Sequence, residues 1–363
     1  MIPIAKPIIG EREKELVMQV LSSGMIAQGP KVKEFEKNWA EYNGVAHAIA
    51  VSSGTAALHI ALLSHGIGPG DEVITTPFTF IASANSIFYC GAKPVFADID
   101  EKTYNIDPEK VTEKITGKTK AIMPVHLYGQ SADMKALTKI AEENEIAIVE
   151  DACQAHGAEY DGKLVGSDST SAYSFYPTKN MTSGEGGMIT TNDPALDEKM
   201  RMLREHGSKA RYHHDILGYN YRMTDIAAAI GIAQLERLPS CNEARIKNAA
   251  YLDRKLAGAK GIITPYVANG AKHVYHQYTI RVTEESGYER DAFAKMLNGK
   301  GIGTGIHYPI PLHRQVLYQN LGYADNLPVA EKAAREVVSL PVHPSVSAKD
   351  LDYISETIRG ALG

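Results

Sequence analysis

Three short stretches carry side chains whose types and spacing suit chemistry. Ser52-Ser53-Gly54-Thr55 lies between an apolar run, AIAVS at 48–52, and the helical pattern TAALHIALL. A strand, a turn of small residues and a helix start leave backbone N–H groups free at the positive end of a helix dipole, which suits a phosphate. Ser53 and Thr55 add hydroxyls. Glu150-Asp151-Ala152-Cys153-Gln154 closes the run AIVED at 147–151. An acid at the carboxyl end of a buried parallel strand sits where α/β ligand crevices form. Burying it is costly without a partner, and a protonated pyridine nitrogen would be one. In Tyr173-Ser174-Phe175-Tyr176-Pro177-Thr178-Lys179-Asn180, a lysine stands between aromatic residues and the turn Ser183-Gly184-Glu185-Gly186-Gly187. Partial burial disfavours its ammonium form and readies the amine for Schiff-base chemistry. Each stretch also has an ordinary reading: a helix N-cap, a structural acid paired with an arginine or capping the next helix, and a solvated loop lysine. Together they are the parts that pyridoxal phosphate requires.

The elements that must position them follow an alternating rhythm. β-rich runs at 48–52, 72–76, 94–98, 120–125, 147–151 and 187–191 alternate with helical stretches such as DMKALTKIAEEN. Apolar strands alternating with helices imply an α/β fold, with a mostly parallel sheet covered on both faces. An amphipathic helix is expected at 11–22, with Leu16, Val17, Val20 and Leu21 on one face. Helices are expected at 195–206 and 223–238, the second ended by Pro239. Beyond that, a charged helix (NEARIKNAAYLDRKL), a strand at 275–282, a helix over ERDAFAKMLNGK, a strand in GTGIHYP and a helix from about 348 form a smaller α+β unit. The expected division is a large α/β domain over 1–240, including the N-terminal helix, and a small C-terminal domain over 241–363.

The order SSGTAAL, PFTFIASANSI, EDACQAHGA, SFYPTKN with SGEGG, and GYNYRMTD resembles the DegT/DnrJ/EryC1/StrS family of nucleotide-sugar aminotransferases over essentially the whole chain. The resemblance implies the fold-type-I architecture and pyridoxal phosphate as cofactor, with pyridoxamine phosphate as its amino-loaded form. It makes Lys179 the lysine that bonds to the cofactor and shuttles a proton. Asp151 becomes the acid that keeps the ring nitrogen protonated, so that the ring is a better electron sink. Gln154 matches the position contacting the ring hydroxyl, and Phe80 the aromatic that stacks on the ring. Gly54, Thr55 and Ser174 match phosphate donors. Asn220 matches a phosphate ligand from a second subunit, implying a homodimer with shared sites. Arg222, His307 and Tyr308 resemble sugar-site segments of relatives acting on uronic acid sugars. An arginine with a histidine and a tyrosine can hold a carboxylate; alternatively Arg222 holds its loop and His307 and Tyr308 only bound the pocket, and other relatives with SGEGG and YNYRMT segments act on 4-keto-6-deoxy sugars, which have no such carboxylate. The implied activity is ping-pong transfer of an amino group from L-glutamate or glutamine to a nucleotide-linked keto-sugar, supplying amino sugars for surface polysaccharide.

Two other functions stay open. One is a pyridoxal-phosphate sugar dehydratase, although those relatives carry histidine where Lys179 stands. The other is a non-catalytic sensor of cofactor or nucleotide sugar. Several classes are disfavoured. The 363 residues carry 38 Lys and Arg against 43 Asp and Glu, a net charge of −5, so no basic field invites nucleic acid. Two stretches free of charged residues, 42–70 and 73–92, hold too many hydroxyls, glycines and histidines to span a membrane. The N-terminus lacks the apolar core of a secretory signal. Cys90, Cys153 and Cys241 build neither a disulfide framework nor a zinc pattern, which suits the cytoplasm. His206, His213 and His214 fit an active-site loop better than a metal site, so no metal is expected. G-x-G-x-x-G, P-loop, H-E-x-x-H and G-x-S-x-G signatures are absent.

Overall fold

The computed structural model describes residues 1–362. In chain order, α1 (Glu11–Ser23) and α2 (Pro30–Asn43) lead to β1 (His47–Val51) and α3 (Gly54–Ser64). Then come β2 (Glu72–Thr75), α4 (Ala82–Tyr89), β3 (Lys93–Phe96), α5 (Pro108–Thr112), β4 (Thr119–Met123), α6 (Met134–Glu143) and β5 (Ala147–Asp151). A short excursion, β6 (Glu159–Tyr160) and β7 (Lys163–Leu164), precedes β8 (Thr170–Ser174), β9 (Gly187–Thr191) and α7 (Pro194–Arg204). A hairpin, β10 (Ser208–Ala210) and β11 (His213–His214), leads into the long helix α8 (Asp225–Leu256). The rest is β12 (Ile262–Ile263), β13 (Ala271–Lys272), β14 (Tyr278–Val282), α9 (Arg290–Gly299), α10 (Val316–Asn320), α11 (Pro328–Glu336), β15 (Val337–Leu340) and α12 (Ala348–Leu362).

The main sheet runs β1-β9-β8-β5-β4-β2-β3. Its neighbours are parallel except where β9 runs antiparallel to both β1 and β8. Side-chain alternation along each strand splits the core into two faces. Ala48, Ala50, Tyr173 and Met188 face the layer of α1, α2 and α8. Ile49, Val51, Ala172 and Ile189 face the other layer, in which α3 is the most enclosed helix. This is the mostly parallel, helix-sandwiched sheet expected. A separate core gathers β14, β15, α9, α12 and the second half of α8.

Buried residues of 312–337 pack with Phe78, Phe96 and Val125. Three expectations are corrected. α8 does not end at Pro239 but runs unbroken through it. GTGIHYP forms no strand and makes only a single bridge, Gly305 to Ser339. Leu21 turns away from the core and is exposed, while Leu16 and Val20 are buried.

Helix α2 is held from outside its own sequence. Asp225, the first residue of α8, accepts from the N–H groups of Gly29 (2.8 Å), Lys31 (3.1 Å) and Val32 (3.0 Å). One buried carboxylate thus caps a neighbouring helix while opening its own. Asp225→Ala should lower stability by about 3 kcal/mol, since it leaves several enclosed donors without an acceptor. A urea midpoint within error of wild type would refute that role.

Candidate active site

All three chemistry-bearing stretches meet at one edge of the main sheet, where β1, β5 and β8 end and β9 begins. Gly187 lies opposite Val51 on one side and Ser174 on the other. A Cβ on Gly54 would stand 2.6 Å from that of Ser174 and 3.1 Å from Cys153 Sγ. A Cβ on Gly187 would run into the Ser53–Gly54 backbone. Only glycine permits such approach.

Ser53 is the N-cap of α3, its hydroxyl accepting from Ala56 N at 3.1 Å. The ordinary capping reading is therefore correct as far as it goes. It leaves the N–H groups of Gly54 and Thr55 without a backbone acceptor, beside the Ser174 hydroxyl. That is the donor set a phosphate needs.

Glu150 and Asp151 point to opposite faces, as neighbours on a strand must. Glu150 turns inward to His126 (2.7 Å), Ser169 and Gly166 N (3.1 Å), a structural role. Asp151 is buried and accepts from Ser83 Oγ at 2.6 Å and Cys153 N at 3.1 Å. Among the described residues, no cation lies within ion-pair distance of it. Gln154 Nε2 donates to Tyr308 Oη at 3.1 Å, and its Oε1 accepts from Tyr128 N at 3.0 Å. Phe80, exposed on the turn after β2, has its ring centroid 6.4 Å from that of Tyr308.

Lys179 sits in the 175–186 connection between β8 and β9. Phe175 N to Gly186 O (2.9 Å), Ser183 N to Phe175 O (3.0 Å) and Lys179 N to Tyr176 O (2.9 Å) hold that loop. Burial pushes the Lys179 ammonium below its ordinary pKa, while Cys153 and Asp151 oppose the shift. His307 is carried down to about 4 by burial and by Lys179, so it is neutral at pH 7. Its Nδ1 contacts Ser339 Oγ at 3.0 Å. Burial and Asp151 raise the Tyr308 hydroxyl, which keeps its proton.

Thus Gly54, Thr55, Asp151, Gln154, Ser174, Lys179, His307 and Tyr308 gather at this edge, with Phe80 on its rim. Arg222 and Asn220 lie on the strand-like stretch that follows β11, alongside the end of β1. Arg222 bridges to Val51 and lies 3.9 Å from Glu205, and it bonds neither His307 nor Tyr308. Asn220 is exposed and bridges to Glu205. His213 and His214 form an exposed strand, and no metal cluster exists among the described residues. A larger groove lies between α6 and the β6–β7 excursion, lined by Met134, Lys135, Tyr160 and Lys163, and holds none of these groups.

Sequence reasoning missed the residues that fasten the lysine loop. Asn180 Nδ2 donates to Asn242 Oδ1 (2.8 Å) and Val274 O (3.0 Å), and Asn242 Nδ2 donates to His156 O (2.8 Å). The only sequence signal was an asparagine directly after the lysine. The residues at this edge fit pyridoxal phosphate: free N–H groups and hydroxyls at one end, an unpaired buried carboxylate at the other, and a desolvated amine between.

A model of the DegT/DnrJ/EryC1/StrS aminotransferase family matches residues 7–359. The chain is 48% identical over 345 residues to a pleiotropic regulatory protein of Geobacillus stearothermophilus, covering 94% of this chain and 91% of that one. It is 44% identical over 358 residues to a GDP-perosamine synthase of Caulobacter vibrioides, covering 97% and 96%. The X-ray structure of S. venezuelae DesV superposes with a TM-score of 0.93 at 40% identity, over 97% of this chain and 94% of that one. No described helix is long and apolar enough to cross a membrane.

The Lys179 environment makes a signed prediction. In cofactor-free protein, peptide-mapped acetylation of Lys179 should reach half its limiting rate at a pH below the ~10.4 of ordinary lysines. Asp151→Asn should move that midpoint lower still, because it removes a carboxylate that favours the ammonium form. A midpoint matching the surface lysines of the same digest would count against the desolvated amine.

Proposed function

The chain belongs to the DegT/DnrJ/EryC1/StrS aminotransferase family, and from that premise we propose that it moves the amino group of L-glutamate or glutamine onto a nucleotide-linked keto-sugar by a ping-pong mechanism. The observation that carries this reading is Lys179, an amine disfavoured as ammonium, at the strand edge that also holds an unpaired buried carboxylate. The name of the Caulobacter relative, a GDP-perosamine synthase, supports a sugar nucleotide as acceptor. Surface polysaccharide is the product class that fits.

Pyridoxal phosphate, when bound, supplies an aldehyde for the amino group and a cationic ring that serves as electron sink. The chain's own residues would do the rest. The N–H groups of Gly54 and Thr55 and the Ser174 hydroxyl would hold the phosphate. Asp151, fixed by Ser83, would keep a proton on the ring nitrogen. Gln154, oriented by Tyr128 N and Tyr308, would present its amide to the ring hydroxyl. Lys179 Nζ would carry the proton between substrate carbon and cofactor, a task that needs the neutral amine. Phe80 would cover the ring, with His307 and Tyr308 on the sugar side.

We also propose a homodimer in which Asn220 reaches the partner's phosphate site and Arg222 the partner's sugar site. The exposure of Asn220, and the lack of any bond from Arg222 to His307 or Tyr308, support it. Residues 1–240 and 241–363 are proposed as larger and smaller domains, supported by the separate core around β14. A cytoplasmic setting fits three free cysteines.

The absorbance spectrum tests the donor half-reaction. Protein loaded with pyridoxal phosphate should lose the visible band of lysine-bound cofactor on addition of L-glutamate and gain the band of pyridoxamine phosphate. A band unchanged by glutamate and glutamine alike would overturn the donor assignment. Lys179→Ala should abolish turnover, a loss of at least ~10³-fold. Site sharing has its own test. Lys179→Ala and Asn220→Asp proteins, unfolded together and refolded as a mixture, should exceed the mean activity of the two parents, because each mixed dimer restores one intact site. Activity no higher than that mean would refute sharing through Asn220.

A further inference from the structure

The hydrogen-bonding direction of His307 decides what it can hold. A neutral imidazole donates from one ring nitrogen and accepts at the other. Burial and Lys179 carry its pKa to about 4, so the ring is neutral at pH 7. It is also firmly seated. A Cβ on Gly305 would run into the imidazole. Gly305 and Ser339 exchange backbone bonds, Gly305 N to Ser339 O at 3.2 Å and Ser339 N to Gly305 O at 2.7 Å. His307 Nδ1 meets Ser339 Oγ at 3.0 Å. Its Nε2 bonds nothing among the described residues and is not sealed in.

Ser339 stands directly opposite Thr279 in the β14–β15 ladder, and their hydroxyls meet at 2.9 Å. Both residues are buried. Thr279 also bonds the Tyr128 hydroxyl, and Tyr128 donates in turn to the carbonyl of His307. The contacts form a closed circuit that starts at the main chain of His307 and returns to its ring. A carbonyl only accepts, so the Tyr128 proton is committed to it. Each hydroxyl has a single proton. Thr279 must then donate to Tyr128 Oη, Ser339 to Thr279 Oγ1, and His307 Nδ1–H to Ser339 Oγ. The opposite sense would leave one of these buried contacts with no hydrogen in it, and an unmade buried bond is costly.

We propose that Tyr128, Thr279 and Ser339 are positioning residues that fix the Nδ1–H tautomer of His307, so that its free Nε2 accepts a hydrogen bond from a hydroxyl or amide N–H of the acceptor sugar. This rests on the aminotransferase reading above and deepens it. A carboxylate brings acceptors only and would face a lone pair. His307 therefore does not hold one. Of the three residues matched to a uronic acid group, Arg222 and the Tyr308 hydroxyl remain able to donate.

Neutron diffraction from deuterium-exchanged crystals at pH 7 reads the tautomer directly. Deuterium should sit on His307 Nδ1 and be absent from Nε2. Thr279→Val keeps the shape of the side chain but opens the circuit. Ser339 then turns its hydrogen to His307 Nδ1, and the deuterium should move to Nε2. The kinetic consequence is read with whichever of the UDP-, dTDP- and GDP-linked 3-keto and 4-keto hexoses the wild type turns over best. Thr279→Val should raise the KM for that sugar at least ~10-fold. Discharge of the cofactor band by L-glutamate should stay within ~2-fold of wild type. Thr279→Ser, which restores the hydroxyl, should recover most of the loss. A merely structural threonine would change both half-reactions together. Deuterium on Nε2 in the wild type, an unmoved tautomer in Thr279→Val, or a loss shared equally by both half-reactions would each overturn the proposal. If Nδ1 carries the deuterium but no keto-sugar is turned over, the circuit stands, while the sugar aminotransferase reading falls and takes the role given to Nε2 with it.

Discussion

The approach of Gly54 to Ser174 is the constraint on which the rest of the site depends. It brings the start of α3 into contact with the end of β8, which no residue larger than glycine at position 54 would allow. It also explains the one reversed strand. The chain leaves β8 at Ser174 and returns at Gly187, directly across the ladder, so β9 must run antiparallel and its first residue must lie at the same edge. The intervening loop is then a hairpin closed at the phosphate cradle. Lys179 lies in this loop, close enough to Cys153 and Asp151 for their charges to act on its amine. One packing requirement between small residues therefore places cradle, lysine and acid together.

Electrostatics separates the site from the scaffold. Buried carboxylates are satisfied here in two ways. Glu36 pairs with Arg204 and Glu13 with Arg237, which is a usual condition for burying an ion. Asp225 and Asp98 are held by backbone N–H groups instead. Asp151 differs from both: it has one hydroxyl and one N–H and no cation, at the edge where the phosphate cradle and Lys179 meet. That leaves it free to suit a cationic ring.

Much of this was legible in the sequence, for a physical reason. Buried parallel strands must be apolar, and the turns after them carry the chemistry, so AIAVS, EVITT and AIVED announced the sheet and the positions of Gly54 and Asp151. Other elements hid because their signals were weak. β8 reads TSAYS and looks polar; Thr170 Oγ1 meets His65 at the end of α3 (2.9 Å) and Tyr173 Oη donates to Val165 O (2.6 Å). α2 buries Val32, Phe35 and Trp39 at helical spacing, but two of its five buried residues are Glu36 and Asn43, which read as surface residues. Asn242 was invisible as a supporting residue because its partners are the Asn180 side chain and the His156 carbonyl, far away in sequence. GTGIHYP has strand-like residues, yet it pairs at only one point.

Pro239 marks where local preference and tertiary structure part most clearly. A proline inside a helix removes one hydrogen bond and costs about 3 kcal/mol, so the expectation that α8 would stop there was sound locally. The helix continues because both halves are fastened to separate parts of the molecule. Before the proline, Gln234 Nε2 donates to Ile8 O (2.7 Å) and Glu13 (2.6 Å), and Arg237 reaches Glu13. After it, Asn242 holds Asn180 and the carbonyl of His156, and Asn248 Nδ2 donates to the carbonyls of Val342 and His343 (3.2 Å each). These residues fall on one stripe only if the helical period is unbroken. A skipped residue would turn everything beyond it by about 100° and carry Asn242 away from Asn180. The continuity of α8 through an unfavourable residue is therefore what sets the N-terminal segment and the lysine loop in register with one another.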